Sequence, residues 1–207
     1  GVSGCSKWGL ELGGIAVIDV ENHSAFHLEA VQTIKKTNQK LLDVYANTII
    51  DRKEALLKIS KYLVVDAYFS KEPFVSSICE SGFEIVSRLR TDAHLQYAFV
   101  GKQKMGRGRP KKFDGKVDYN NLEDTHFETV QLHQKEKIHK AKVYSKSLKK
   151  WINVVIVYQL KKNKWMHKIY FSTDLEMSAK TILAYYKSRF QIEFLYRDAK
   201  QHTSLNY

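Results

Sequence analysis

The chain has 207 residues, of which 43% are hydrophobic and 12% aromatic, and this is enough to bury the core of one domain. No apolar run approaches the length of a membrane span and no signal peptide is apparent, so a soluble protein is expected. Cys5 and Cys79 are the only cysteines, which argues against a disulfide or zinc scaffold and favours a reducing cytoplasm.

The net charge of +12 is concentrated in one part of the chain. Residues 101–168 hold 18 Lys and Arg against 6 Asp and Glu, whereas the remaining residues hold 16 of each class. A surface that serves only solubility intersperses the two signs. A neutral body with a basic segment therefore favours a nucleic acid as partner, and the alternative is an ordinary solvated, lysine-rich face.

The first third of the chain predicts a β-hairpin followed by helix and strand. Residues 10–20 and 25–33 are apolar, β-branched runs separated by a polar turn, which is the composition of two antiparallel strands. Residues 37–62 show helical spacing of apolar side chains and predict one long or broken amphipathic helix. The short apolar run at 62–65 then predicts a buried strand that ends on Asp66.

The middle of the chain predicts a helix over 71–80 and a strand over 83–88, parallel to the strand before Asp66. Beyond residue 100 the composition becomes Gly- and Lys-rich, with short β-like stretches near 127–132 and 142–144. Two longer strands, 151–160 and 165–172, are predicted to form a hairpin with a basic tip at 161–164.

The last predicted element is a helix over about 178–201, preceded by Thr173 and Asp174 as a capping region. Tyr186, Arg189, Glu193 and Lys200 lie on it at intervals of three, four and seven residues. At about 100° per residue these four side chains fall within an arc of roughly 60°. A narrow polar stripe on an otherwise apolar helix is typical of a helix that lines a cleft. The alternative is a surface stripe with an ordinary Arg189–Glu193 ion pair.

Asp66 and Glu193 are candidate metal ligands. A carboxylate at the end of a buried strand is well placed to meet a carboxylate from a packed helix, and two such groups can hold Mg²⁺, or Mn²⁺, with positions left for phosphate oxygens. Arg189 and Lys200 would then bind neighbouring phosphates. The alternative for Asp66 is a structural role at a strand end or turn.

The segment from Tyr185 through Lys200 resembles the Y-x2-R-x3-E-x6-K signature of Asp-Asp-Glu (DDE) transposases of the bacterial insertion-sequence-4 type, and all four signature positions match. The resemblance extends to residues 63–70, which are similar to the segment with the second catalytic Asp, and to residues 171–174. It implies a ribonuclease-H-like α/β fold with a β-rich insertion between that Asp and the Glu. The implied division is a first core part over 1–100, a basic insertion over 101–172 and a catalytic helix over 173–207.

This resemblance implies a DNA-cleaving and DNA-joining enzyme that uses Mg²⁺ or Mn²⁺, with Asp66 and Glu193 as catalytic metal ligands and Tyr186, Arg189 and Lys200 on the DNA. It implies double-stranded DNA as partner, a homodimer in a synaptic complex, and a cytoplasmic, nucleoid-associated bacterial protein. The family has its first catalytic Asp on a strand that precedes one like residues 10–20, so this Asp is expected upstream of Gly1. Asp19 is the only nearby substitute and is interpreted as a hairpin residue. A DNA-binding remnant of a decayed element, without catalysis, is the rival interpretation.

Within the basic segment, residues 106–112 resemble the core of an AT-hook, in which an extended Arg-Pro backbone lets Arg enter a narrow minor groove. The candidate DNA contacts are Arg107, Arg109, Lys111 and Lys112. A flexible loop that makes nonspecific phosphate contacts is the alternative.

Overall fold

The computed structural model describes residues 12–34, 38–103, 106 and 108–202, and these form a mixed α/β structure, as the sequence predicts. The strands are β1 (Leu12–Asp19), β2 (Ser24–Gln32), β3 (Tyr62–Val64), β4 (Glu84–Leu89), β5 (Leu95–Ala98), β6 (Phe113–Lys116), β7 (Glu128–Leu132), β8 (Glu136–Ser145), β9 (Lys150–Lys161) and β10 (Lys164–Ser172). The helices are α1 (Leu41–Ile50), α2 (Lys53–Ile59), α3 (Glu72–Glu80), α4 (Ala179–Ser188) and α5 (Phe190–His202).

Strands β1 and β2 form the predicted antiparallel hairpin, separate from the larger sheet. Asp19 closes its turn, because the Asp19 side chain accepts hydrogen bonds from the backbone N–H groups of Glu21 and Asn22, both at 3.0 Å. This contact agrees with the interpretation of Asp19 as a hairpin residue. Arg52, between α1 and α2, holds the hairpin through a two-pronged ion pair with Glu29 of β2.

The other described strands form one sheet in the order β3-β4-β10-β9-β8-β5-β6, and β7 pairs with β8 beside this path. Strand β3 runs parallel to β4, as predicted, and the other pairings are antiparallel. Because β10 pairs with β4, the strands of the basic segment continue the sheet that delivers Asp66. The β9–β10 turn has positive φ at both Lys162 (47°) and Asn163 (59°), the geometry of a type I′ hairpin.

Each face of the large sheet has its own apolar core. One face packs against α1 and α3 and includes Ile85, Leu89, Ile169 and Phe171. The opposite face packs against α4, and the core there includes Val86 and Val155 from the sheet and Ile182 and Tyr186 from α4. We call the surface under α1 and α3 the α3 face and the surface under α4 the α4 face. Successive side chains of a strand point to opposite faces, so the face of one residue determines the face of every other residue in that strand.

The predicted single helix over 178–201 is wrong in two respects. It is interrupted at Arg189, which divides it into α4 and α5, although Arg189 keeps helical φ and ψ of −51° and −32°. In addition, α5 buries none of its residues fully, and Phe190 and Phe194 are about half exposed. The cause is that the main contacts of α5 are with β1 and β2 and not with the large sheet.

The helix cap is also placed differently from the prediction. Ser178 caps α4 and accepts a hydrogen bond from the Thr181 N–H, whereas Asp174 binds Tyr62 and Lys61. Among the described residues, no helix is both long and apolar enough to cross a membrane.

Candidate active site

Asp66 follows the end of β3, separated from it by Val65, and is exposed. Its side chain caps a short 3-10 turn over Ala67–Phe69, and Oδ1 accepts a hydrogen bond from the Ala67 N–H at 2.7 Å. This local contact holds the carboxylate beyond the sheet edge. No described hydrogen bond or ion pair uses Oδ2, so one carboxylate oxygen of Asp66 is uncommitted.

Tyr186 connects Asp66 to helix α4. Its ring is buried against Tyr170 of β10, with ring centroids 5.0 Å apart, and its hydroxyl lies 3.5 Å from Oδ1 of Asp66, at the long limit of a hydrogen bond. Burial raises the pKa of the Tyr186 hydroxyl, while the charges of Arg88 and Arg189 oppose that rise. The hydroxyl therefore stays protonated at neutral pH and can donate to an oxygen near Asp66.

Arg189 joins Tyr186 to Glu193. Its guanidinium lies 5.8 Å from the centre of the Tyr186 ring and donates to Oε1 of Glu193 at 2.9 Å. The Arg189 side chain is 17% exposed and that of Glu193 51% exposed, so the arginine is largely shielded from solvent while the carboxylate stays open to it. Nε of Arg189 is buried and has no hydrogen-bond partner among the described residues. A buried unpaired donor is costly, so this atom is suited to an acceptor on another molecule or segment.

Lys200 is not brought to this cluster. It lies on α5 nearly two turns beyond Glu193, it is exposed, and none of the described hydrogen bonds or salt bridges includes it. The structure therefore joins Asp66, Tyr186, Arg189 and Glu193 in one chain of contacts, and leaves Lys200 at the end of the stripe.

Arg88 is a charged neighbour of the cluster that the sequence did not reveal. It lies on β4 opposite Tyr170, is partly buried, and its charge acts on the hydroxyls of both Tyr170 and Tyr186. From one sequence, a single Arg near the end of a predicted strand cannot be recognised as a residue of the site. Its importance appears only when the β4–β10 register is known.

A groove lies between the edges of the two sheets and encloses about 490 Å³. Its walls include the consecutive residues 13–18 of β1 and 62–66, which comprise β3 and the residues after it. Consecutive residues of a strand are expected to line a groove where the strand presents its edge, because their side chains alternate between the two faces. Within the described residues, β1 pairs only with β2 and β3 only with β4, so both strands turn an unpaired edge to this groove. Arg189 also lines it.

The basic residues near 106–112 lie apart from this cluster. Arg107 is outside the described residues, and Arg109, Lys111 and Lys112 are exposed. The base of this segment is fixed by Gln103, whose side chain bonds both the N–H (3.0 Å) and the C=O (2.7 Å) of Lys111. Lys111 also pairs with Asp114 at 3.0 Å, so part of its charge is already neutralised.

The acidic groups fit part of a metal site. Asp66 and Glu193 each offer a hard carboxylate oxygen beyond those used in the contacts above, which suits Mg²⁺. Across the part of the chain that the structure describes, no group of three or more His, Cys, Asp or Glu side chains could hold a metal. The described residues thus supply two candidate ligands and not a complete acidic triad.

A scan against protein-family models matches residues 15–206 to the model described as "Transposase DDE domain". The chain belongs to this family. The match spans the β1–β2 hairpin, Asp66, the basic segment and the helix with Glu193. No curated protein matches the chain.

Membership assigns the chain to the transposases, whose domain is of the nuclease type, acts on DNA and normally uses a divalent metal. The mixed sheet with flanking helices is consistent with such a transposase domain.

Proposed function

We propose that this domain cleaves DNA at the ends of a mobile element and joins the freed ends to target DNA, in the manner of insertion-sequence-4 transposases. The observation that carries this proposal is the chain of contacts from Asp66 through Tyr186 and Arg189 to Glu193. It connects a strand-end carboxylate to a helical carboxylate, and it uses three of the four signature residues.

In this proposal Asp66 and Glu193 would hold Mg²⁺, or Mn²⁺, which when bound would supply Lewis-acid activation of the attacking oxygen and stabilisation of the leaving oxygen. Arg189 holds Oε1 of Glu193 and so orients the carboxylate, which would leave Oε2 for the metal. Tyr186 donates from its protonated hydroxyl to a DNA oxygen near Asp66. Arg189 and Lys200 bind phosphates on either side of Glu193.

The third carboxylate is proposed to come from a further strand that lies in the groove between β1 and β3. Such a strand would pair with both unpaired edges and complete a ribonuclease-H-like sheet, with its side chains next to Asp66. Its backbone would also offer an acceptor to Nε of Arg189. We retain the division into a core over 1–100 and 173–207 and a basic insertion over 101–172 as part of this proposal.

Two copies of the domain, each bound to one element end, would form the synaptic homodimer. The exposed Arg109 and Lys112, together with Arg107 and Lys111, would contact duplex DNA from the insertion. A second candidate function is DNA binding without cleavage. The observation that favours it is the lack of a three-acid group among the described residues.

Substitutions that remove one negative charge distinguish the two candidates. In a full-length transposase that contains this domain, we expect Asp66→Asn and Glu193→Gln each to slow Mg²⁺-dependent nicking of an element-end duplex by about three orders of magnitude or more. Affinity in a gel-shift assay should stay similar or rise, because a negative charge leaves the site. Arg189→Ala should weaken both binding and nicking.

The matched control is Asp198→Asn, an exposed acid of α5 that is paired with its neighbour Arg197. It should nick at the parental rate. If Glu193→Gln nicks as fast as the parent, Glu193 is only a structural partner of Arg189. A parent that binds the duplex and never nicks it supports the binding function. A carbon-to-carbon separation of the Asp66 and Glu193 carboxyls beyond about 12 Å in the DNA complex would contradict a shared metal site, since metal–oxygen bonds of about 2.1 Å cannot span it.

A further inference from the structure

Strand register places several basic residues beside the candidate active site on the α4 face. Arg88 of β4 lies opposite Tyr170, Tyr170 lies opposite Val155 of β9, and Val155 lies opposite Lys140 of β8. Tyr170 and Val155 belong to the core under α4, so the alternation of side chains puts Arg88 and Lys140 on that face. Lys168, two residues before Tyr170 on β10, is on the same face.

These three side chains extend across the strands from the site. Lys168 is a diagonal neighbour of Arg88, at about 7–8 Å between Cα atoms. Lys140 is two strands from Tyr170, or about 10 Å at a strand spacing of about 4.8 Å. We call Arg88, Lys168 and Lys140 the cross-strand basic row. It begins at Arg88, next to Tyr186, and leads toward the centre of the basic segment.

The row stays accessible although α4 covers part of this face. Helix α4 packs over β4, β9 and β10 and ends at Ser188, and α5 contacts the β1–β2 hairpin. Lys168 is exposed, and Arg88 and Lys140 are partly exposed. The α4 face of the sheet is therefore open to solvent at these three side chains.

The charges of the row are also free of acidic partners. None of the salt bridges within the described residues includes Arg88, Lys140 or Lys168, although Glu128 of the edge strand β7 is the register neighbour of Lys140. Other lysines of the same strand are engaged: Lys142 pairs with Glu176 at 2.5 Å, and Lys137 lies over the Trp165 ring on the opposite face. Cations that the protein does not neutralise are suited to an external polyanion.

We propose that the cross-strand basic row holds the phosphate backbone of duplex DNA and continues the path of the DNA from Arg189 across the open α4 face of the sheet. This inference rests on the proposed function, because it extends the same DNA-binding site. It differs from the proposed function in one respect: the principal contact with the DNA lies on the strands of the sheet and not in the 106–112 segment. A duplex on these strands would be held in a fixed register relative to Asp66.

The test is binding of the 207-residue chain to a mixed-sequence duplex of about 30 base pairs, with metal chelated, over a series of salt concentrations. We expect Lys140→Ala/Lys168→Ala to weaken binding by about ten- to a hundredfold at about 0.1 M salt. It should also reduce the slope of log affinity against log salt by about 1.8, since each neutralised phosphate contributes about 0.9. Replacement of both lysines by Arg should restore most of the affinity.

The control with an equal change of charge is Lys137→Ala/Lys146→Ala, which removes one lysine over Trp165 and one exposed lysine of the turn after β8. It should keep the parental slope. If both double variants weaken binding equally, only the total charge matters and the proposal is wrong. It is also wrong if the Lys140→Ala/Lys168→Ala variant binds as the parent does, or if the parent binds no duplex. Because no cleavage is measured, a row that binds DNA would stand even if Glu193→Gln left nicking intact.

Discussion

Tyr119 and Tyr158 anchor the segment after β6 to the α3 face of the large sheet. The Tyr158 hydroxyl donates to the backbone oxygen of Tyr119 at 2.7 Å, and the Tyr119 hydroxyl donates to that of Ala93. His167 stacks on the Tyr119 ring at 4.9 Å. Burial raises the pKa of both tyrosine hydroxyls well above the ordinary value. The folded chain therefore stabilises the protonated, neutral form of each tyrosine side chain more strongly than the unfolded chain does.

These tyrosines predict a loss of stability in alkali. Above about pH 10 the unfolded chain loses its tyrosine protons while the folded chain keeps them, so the free energy of unfolding should fall as pH rises, by at most about 1.4 kcal/mol per pH unit for each residue. We expect urea unfolding between about pH 8 and 11 to show a shallower pH dependence in Tyr158→Phe. The same variant should be about 1 kcal/mol less stable at neutral pH, because it cannot form the hydrogen bond to Tyr119. Tyr68→Phe, at an exposed ring, is the control, and an identical pH dependence in all three chains would contradict the assignment.

Individual site residues differ in how far the sequence can predict them. The spacing of Tyr186, Arg189 and Glu193 follows helical geometry, which a sequence displays directly, and the contacts among them are found in the structure. Arg88 could not be predicted, because its place beside Tyr186 depends on pairing between strands that are far apart in the chain. Lys200 matches the signature by spacing alone, and its role stays a prediction.

At the scale of elements, strong local patterns predicted most helices and strands, and weak ones failed. The β1–β2 hairpin and the strand before Asp66 have apolar runs with clear turns. Strands β5 and β6 were not predicted, since they are four residues each and β5 is held in place by its pairing with β8. The interruption at Arg189 was missed because nothing in the local sequence, neither Gly nor Pro, marks it.

Gly14 of β1 fixes how closely α5 approaches the hairpin. A Cβ at Gly14 would lie 1.7 Å from the hydroxyl oxygen and 2.6 Å from the ring carbon that bears it in Tyr196, whereas a Cβ at Gly13 would meet nothing nearer than 3.7 Å. The partly buried Tyr196 ring would have to rotate out of its place against the hairpin, and α5 would lose this contact.

We therefore expect Gly14→Ala to lower the melting temperature by several degrees and to increase proteolytic cleavage in α5, while Gly13→Ala changes both little. Thermal unfolding and limited trypsin digestion, which can cut at Arg197 and Lys200, measure these effects. Equal behaviour of the two variants would mean that α5 does not depend on this close approach.

The 106–112 segment is the second element with a separable role. It lies between β5 and β6 and outside both strands, so removal of 106–112 should keep the strand pairings of the sheet, although it also removes the contacts of Lys111 with Gln103. If Arg107, Arg109 and Lys112 bind phosphates, the deletion should flatten the salt dependence of duplex binding, by about 0.9 for each phosphate that is no longer neutralised. Fluorescence anisotropy with a labelled duplex measures the slope. An unchanged slope with unchanged melting temperature would place the DNA-binding surface elsewhere.

For the whole molecule, the continuous sheet matters more than the division of the sequence at residue 100. The composition predicted a neutral body with a basic appendage, yet β10 pairs directly with β4, so the basic segment and the strand next to Asp66 share one hydrogen-bonded surface. Strand pairings of this kind depend on residues far apart in sequence, and composition carries no information about them. A shift in the basic segment would therefore be transmitted to β4, whose register sets the position of Arg88.

Within the described residues, β1 and β3 each have one unpaired edge, and this has a consequence for the colloidal behaviour of the chain. Open strand edges can pair with edges of other molecules, and such pairing leads to aggregation unless something opposes it. Here the opposing force is the mutual repulsion of chains with a net charge of +12. Salt shortens the range of that repulsion to about 8 Å at physiological ionic strength and does little to backbone hydrogen bonds. The same salt that releases DNA from the domain thus removes its protection against self-association.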